Sequence, residues 1–113
     1  MSHKREPDLF LAAKVIRDDG GAVELPLDGA RAGLPSLRSN ADRPAWVYAR
    51  SDGSFRGHGF RLAITEHRDR PVRIEHATPQ GLRDGLATLH QLIRLHGRRL
   101  ATRTYEWDDA KNT

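Results

Sequence analysis

The side chains with catalytic or metal-binding potential in this 113-residue chain are six histidines and fifteen acidic residues, and cysteine is absent. Two histidines bind one metal from a helix most readily when they are three or four residues apart and so share a face. His90 and His96 are separated by more than that. His58, His67 and His76 fall in or beside predicted strands without a recognisable ligand spacing. We therefore assign no metal site.

The acidic residues show no catalytic pattern either. Asp18-Asp19 and Asp108-Asp109 are adjacent pairs, but neighbouring side chains on a strand point in opposite directions. We expect turn and terminal roles for them. Gly57-His58-Gly59 precedes a strand and not a helix, so a phosphate would gain nothing there from a helix dipole. The sequence thus predicts no catalytic and no cofactor-binding residues.

Positive charge is concentrated near the C-terminus. The net charge is +4, and the window 81–103 accounts for all of it with five arginines and one acid. Four of these define the arginine patch: Arg94, Arg98, Arg99 and Arg103. Such a patch is a candidate contact for nucleic-acid phosphates, another polyanion or a partner domain. The alternative is a solvated helix end, where the helix dipole favours cations.

Length and composition indicate one globular domain. Hydrophobic residues make up 37% and charged residues 30% of the chain, and no apolar run approaches the roughly 20 residues of a membrane span. We predict a single domain over 9–109, a flexible N-terminus over 1–8 and a tail over 110–113. The charged N-terminus lacks the apolar region of a secretory signal, so the expected location is cytoplasmic.

The N-terminal half is predicted to contain a hairpin. Residues 9–16 form an apolar run typical of a buried strand, and 22–27 alternate like a second strand. Between them, the Asp-Asp-Gly-Gly run at 18–21 predicts a tight turn. Pro26 lacks an amide donor, which places it at a sheet edge or a strand end. Within 28–44 a short helix over 30–37 is one interpretation, but glycine and proline interrupt it.

Four further strands are predicted, at 45–50, 60–65, Val72–His76 and 101–107. They are rich in β-branched and aromatic residues and alternate with period two. The polar loop 67–71 joins the second and third of these as a hairpin.

The helix Pro79–His96 has the clearest signals. Thr78 suits the N-cap, Pro79 the first helical position and Gly97 the left-handed position after the end. Two adjacent stripes run along the helix; the apolar one is Leu82, Leu86, Leu89 and Ile93, and the smaller one is Gly81, Gly85, Thr88 and Leu92. Because glycine costs a helix about 1 kcal/mol relative to alanine, Gly85 predicts a close approach to the sheet.

These elements predict an α+β two-layer sandwich. We expect a mainly antiparallel sheet of about four to five strands, with one principal helix over 79–96 packed on one face.

The region 57–109 resembles the small domain that precedes the catalytic barrel in family 20 β-N-acetylhexosaminidases and related glycosidases. The resemblance is carried by a Gly-Phe-Arg-Leu strand at 59–62, by the strand Val72–His76 and by a helix reading Gly-Leu-x-x-Gly-x-x-Thr-Leu-x-Gln-Leu at 81–92. The final Tyr-Glu-Trp-Asp-Asp run at 105–109 is similar to the family's entry to the barrel, with Asp108 where proline is usual.

The resemblance implies a non-catalytic accessory domain that packs against a catalytic barrel, in cis or in trans, and needs no cofactor. A barrel of that kind requires about 250 residues, so the catalytic carboxyls of such an enzyme would lie outside this chain. Two alternatives come from other classes. One is a small basic protein that binds nucleic acid or another polyanion through the arginine patch, and the other is a freestanding domain that self-associates through an edge strand.

Overall fold

The computed structural model describes residues 13–26 and 45–108. They form a five-stranded sheet with one helix packed on it, which confirms the predicted α+β class. In chain order the elements are β1 Lys14–Glu24, β2 Val47–Ser51, β3 Phe60–Ile64, β4 Val72–His76, α1 Pro79–His96 and β5 Arg99–Trp107. The predicted boundaries of β4 and α1 are reproduced, and those of β2, β3 and β5 shift by a residue or two. In the described range, the single strand β1 replaces the two strands predicted at 9–16 and 22–27.

The strand order across the sheet is β1-β5-β3-β4-β2. Every neighbouring pair is antiparallel except β2 and β4, which are parallel, so the sheet is mainly antiparallel as predicted. The β3–β4 hairpin is confirmed, with Leu62 opposite Ile74. The last strand of the chain therefore lies inside the sheet, between the first strand and the third.

Local signals at its two ends fix the limits of α1. The Thr78 side chain accepts a hydrogen bond of 3.0 Å from the Gly81 amide, which satisfies one of the amides that a helix start leaves open. At the other end Gly97 adopts φ 76° and donates its amide to the Ile93 carbonyl at 2.7 Å. A positive φ of this size strongly favours glycine.

The core lies between α1 and one face of the sheet. All residues of both predicted helix stripes are buried, and the inward residues of the sheet, such as Leu62 and Ile74, are fully buried. A Cβ built on Gly85 would lie 2.8 Å from Ile74 Cγ2, and one on Gly81 would overlap the backbone oxygen of Gly59. The predicted close approach of helix and sheet is therefore present at Gly85 and, against a loop, at Gly81.

The hairpin predicted at 18–21 is wrong. β1 runs through this segment as one strand, and within the residues that the structure describes it pairs only with β5. The register shifts between Asp18 and Ala22, which is a bulge. Gly20 has φ 81° and donates its amide to Asp18 Oδ1 at 2.9 Å. The sequence signal for positive φ was real, but a bulge uses the same backbone as a tight turn.

The expected burial of the first strand is also wrong in the part that the structure describes. Val15 and Ile16 are each 48% exposed, because β1 is an edge strand of the described sheet. Pro26 follows the end of β1, as a strand-end proline should. The predictions for 1–8, 28–44 and 110–113 lie outside the described residues. No helix in the described ranges has the length and apolar character needed to cross a membrane.

Candidate functional site

The structure spreads the arginine patch along two elements. Arg94 is near the end of α1, whereas Arg98 and Arg99 occupy its junction with β5. Arg103 is four residues further along the strand, or about 13 Å at the usual rise. Arg98 donates to Glu24 at 2.8 Å and Arg103 to Asp18 at 3.1 Å. Two of the four predicted cations are therefore already paired with carboxylates of β1.

The histidines occupy separate places. His58 Nδ1 lies 2.7 Å from Asp84 Oδ2, and His76 Nδ1 donates to the Thr78 carbonyl at 3.1 Å. In the described ranges no three histidine, aspartate or glutamate side chains come together as a metal site would require. His58 and Asp84 instead tie the loop before β3 to the start of α1, together with a hydrogen bond from the Thr78 hydroxyl to the Gly57 carbonyl.

The sheet face opposite α1 carries an ion network that the sequence reasoning missed. Arg61 donates to Glu75 at 2.9 Å and to Glu106 at 3.0 Å, and Arg50 lies 3.9 Å from Glu75. Partial burial lowers the pKa of Arg61, but hydrogen bonds to Glu106 and Glu75 raise it overall. The Arg61 guanidinium also lies 5.3 Å from the centre of the buried Phe55 ring. The network links the three central strands of the sheet.

Beside this network the same face forms a groove of about 550 Å³. The sheet-face groove is lined by Tyr48, Thr65, Glu66, His67, Arg70 and Arg73. Tyr48 and Arg73 are direct partners in the parallel β2–β4 register. Arg70 comes from the β3–β4 loop, and its guanidinium lies 5.1 Å from the centre of the Tyr48 ring. Period-two alternation could have placed Tyr48 and Arg73 on the polar side of their strands, but their proximity depends on a parallel pairing that the sequence did not reveal.

Three hydrogen bonds between residues close in sequence hold the loop that supplies Arg70. The Thr65 amide donates to the Pro71 carbonyl at 2.7 Å, which closes the loop at its base. The His67 amide donates to the Thr65 hydroxyl at 3.2 Å, and the Arg70 amide donates to His67 Nδ1 at 3.1 Å. The position of Arg70 above Tyr48 is therefore set by the backbone of the loop as well as by the stacking contact.

Comparison with known proteins finds a likeness among solved structures. No protein-family model matches the chain. No curated protein sequence matches it. Among solved structures, a β-N-acetylhexosaminidase from Bacteroides fragilis superposes with a TM-score of 0.58 and 13% sequence identity. What the two proteins share is a fold.

The superposition takes in most of this chain and a small part of the other. It covers 83% of the chain but only 22% of the hexosaminidase, so the chain spans about a fifth of that protein. At 13% identity the likeness concerns the backbone arrangement and transfers no residue role. The structural neighbour is a β-N-acetylhexosaminidase, the same type of enzyme that the sequence pattern at 57–109 resembles.

Proposed function

We propose that this chain is a non-catalytic accessory domain of glycosidase type, whose role is to pack against a catalytic barrel. The observation that carries the proposal is the fold likeness to a fraction of a β-N-acetylhexosaminidase. The helix pattern at 81–92, which resembles the family's accessory domain, supports it independently. The barrel would be supplied in cis by a longer polypeptide or in trans by a partner.

The carboxylates of the described sheet fit a structural role better than a catalytic one. Hydrolysis of a glycosidic bond requires a carboxyl pair, or one carboxyl assisted by the substrate, directed into a sugar-shaped cleft. Glu75 and Glu106 are instead both held by Arg61. The Asp84 carboxylate pairs with His58 Nδ1 at 2.7 Å. Each of these carboxylates stabilises the contact between two elements.

The docking surface is proposed to be the outer face of α1 and its junction with β5. The apolar residues of the family-like helix pattern are buried within this domain, so they cannot make the contact. Leu95 is 58% exposed, and Arg94 and Arg99 flank it as exposed cations. An exposed leucine with two exposed arginines close to it in sequence suits a partner surface that has an apolar centre and an acidic rim.

The first test is the activity of the purified chain. We expect no release of 4-nitrophenol from 4-nitrophenyl N-acetylglucosaminide above the buffer rate. Hydrolysis that co-elutes with the chain on gel filtration would refute the non-catalytic assignment.

The second test concerns the barrel. An antibody against the chain should detect, in the cells that make it, either a polypeptide longer by about 250 residues or a native complex that carries hexosaminidase activity. In that assembly Leu95→Asp should lower the temperature at which activity is lost. Val15→Asp is the matched control, since Val15 is 48% exposed and pairs with Tyr105, at the end of β5 remote from Arg99. A free chain with no associated activity, or equal effects of the two variants, would refute docking through α1.

A further inference from the structure

Charge is unequally distributed on the sheet face opposite α1. Four arginines lie there: Arg50, Arg61, Arg70 and Arg73. Arg61 and Arg50 share Glu75, and Arg61 also holds Glu106. Within the described ranges, Arg70 and Arg73 form no ion pair. One half of this face is therefore neutralised, and the half that forms the sheet-face groove is cationic.

Glu66 lines the groove but forms no ion pair with Arg70 or Arg73. Its Oε2 atom lies against the backbone of Gly21, only 2.5 Å from where a Cβ on that glycine would be. Gly21 belongs to β1, whereas Arg73 belongs to β4, and these strands lie on opposite sides of β3 in the sheet order. The Glu66 carboxylate is thus directed toward β1 and away from the two arginines.

The arginines are oriented for hydrogen bonding. The Arg70 guanidinium carbon lies 5.1 Å from the centre of the Tyr48 ring, a cation–π contact, and within the described residues its N–H groups form no ion pair. The braced loop holds Arg70 in place, because its own amide donates to His67 Nδ1. Arg73 projects from the neighbouring position on β4, opposite Tyr48. Two sets of guanidinium donors therefore border one cavity.

His67 adds a third donor. Its Nδ1 atom accepts the Arg70 amide at 3.1 Å, so the proton of the neutral ring is on Nε2. His67 also lines the groove. The groove thus combines two unpaired guanidinium groups with an imidazole donor, and its volume of about 550 Å³ falls in the range of small-molecule sites.

We propose that the sheet-face groove binds a small ligand through an oxyanion group, a carboxylate or a sulfate. Arginine recognises such groups with paired, charge-assisted hydrogen bonds. Arg70 and Arg73 would provide these bonds, and His67 would contribute the third. The inference depends only on the groove, so it stands or falls independently of the proposed accessory function.

The test is an NMR titration of the ¹⁵N-labelled full chain with sodium glucuronate, sodium sulfate and neutral methyl glucoside. We expect saturable shifts at Tyr48, His67, Arg70 and Arg73 with the two anions and none with the glucoside. Tighter binding of glucuronate would identify an acidic sugar as the ligand type, and tighter binding of sulfate a free inorganic anion. Shifts of equal size at exposed arginines outside the groove would show screening by salt and would overturn the proposal.

Three variants locate the site. Arg70→Gln and Arg73→Gln should each weaken binding by about tenfold or more, the usual effect of losing a charged hydrogen bond. Arg83→Gln is the matched control, because Arg83 is exposed on α1, and it should leave the affinity unchanged. Unchanged affinity in both groove variants would overturn the proposal. The amide spectrum of each variant verifies its fold.

A fourth variant separates geometry from charge. Arg70→Lys keeps the positive charge but removes the planar edge of the guanidinium. Weakening similar to that of Arg70→Gln supports hydrogen bonding to the ligand by the planar guanidinium. Full affinity in Arg70→Lys would show that charge alone is sufficient and would overturn the assigned hydrogen bonds.

Discussion

The packing of α1 against the loop before β3 predicts a large effect of Gly81→Ala. A Cβ at this position would overlap the backbone oxygen of Gly59, and a backbone atom cannot move away by a change of rotamer. The loop is also fixed, since the Thr78 hydroxyl donates to the Gly57 carbonyl and His58 pairs with Asp84. Relief of the overlap therefore requires the loop or the start of the helix to shift.

The magnitude follows from opposing contributions. Replacing glycine by alanine in a helix favours folding by up to about 1 kcal/mol. Overpacking a tight contact costs typically about 1–3 kcal/mol, and a hydrogen bond lost from the displaced loop costs about 1 kcal/mol more. We expect Gly81→Ala to reduce the free energy of unfolding by about 2 kcal/mol, which corresponds to roughly 10 °C in Tm for a domain of this size.

The assay is urea unfolding followed by circular dichroism, with Gly53→Ala as the control. Nothing lies within 4 Å of a Cβ built on Gly53, so alanine there should be neutral or slightly stabilising. If Gly81→Ala unfolds at the same urea concentration as the wild type or at a higher one, the close contact with Gly59 does not constrain the fold and the reasoning is refuted.

Two other perturbations test the fold. Gly85→Ala should lower the free energy of unfolding by about 1 kcal/mol, because its Cβ would lie 2.8 Å from Ile74 Cγ2. Ile74→Leu removes that methyl group, so the double variant should recover part of the lost stability. Additive losses in the double variant would exclude this contact as the cause. Hydrogen bonds from the Ser54 amide and hydroxyl lower the pKa of Asp52, so its stabilising effect is complete above the unfolded pKa and is lost as pH falls through the folded pKa. Urea midpoints measured between about pH 5 and pH 2 should therefore fall less steeply in Asp52→Asn, and an unchanged slope would contradict this assignment.

The features that the sequence predicted well depend on local signals. The cap at Thr78, the glycine at 97 and the apolar stripe all lie within a few residues of the helix that they define. Together they predicted its limits correctly. The β3–β4 hairpin was equally local, since alternation and a polar loop determine it.

The failures concern partners that are distant in sequence. The positive φ at Gly20 was anticipated, but only the pairing of β1 with β5 decides between a turn and a bulge. Likewise, the parallel β2–β4 pairing that brings Tyr48 beside Arg73 has no local signature. The arginine patch was predicted from proximity in sequence, whereas its pairing with Glu24 and Asp18 depends on the same long-range contact of β1 with β5.

The position of β5 between β1 and β3 has a consequence for synthesis on the ribosome. Lys14 pairs with Glu106, so residues near the two ends of the described chain are neighbours in the sheet. All of the pairing that β1 makes in the described sheet is with β5, and β3 gains its second neighbour only from the same strand. In the nascent polypeptide β1 and one edge of β3 therefore stay unpaired within the described sheet until β5 leaves the exit tunnel. Strand insertion of this kind is a slow, non-local step. A chain truncated before residue 99 would lack the strand that joins β1, with its Val15 and Ile16, to the rest of the described sheet.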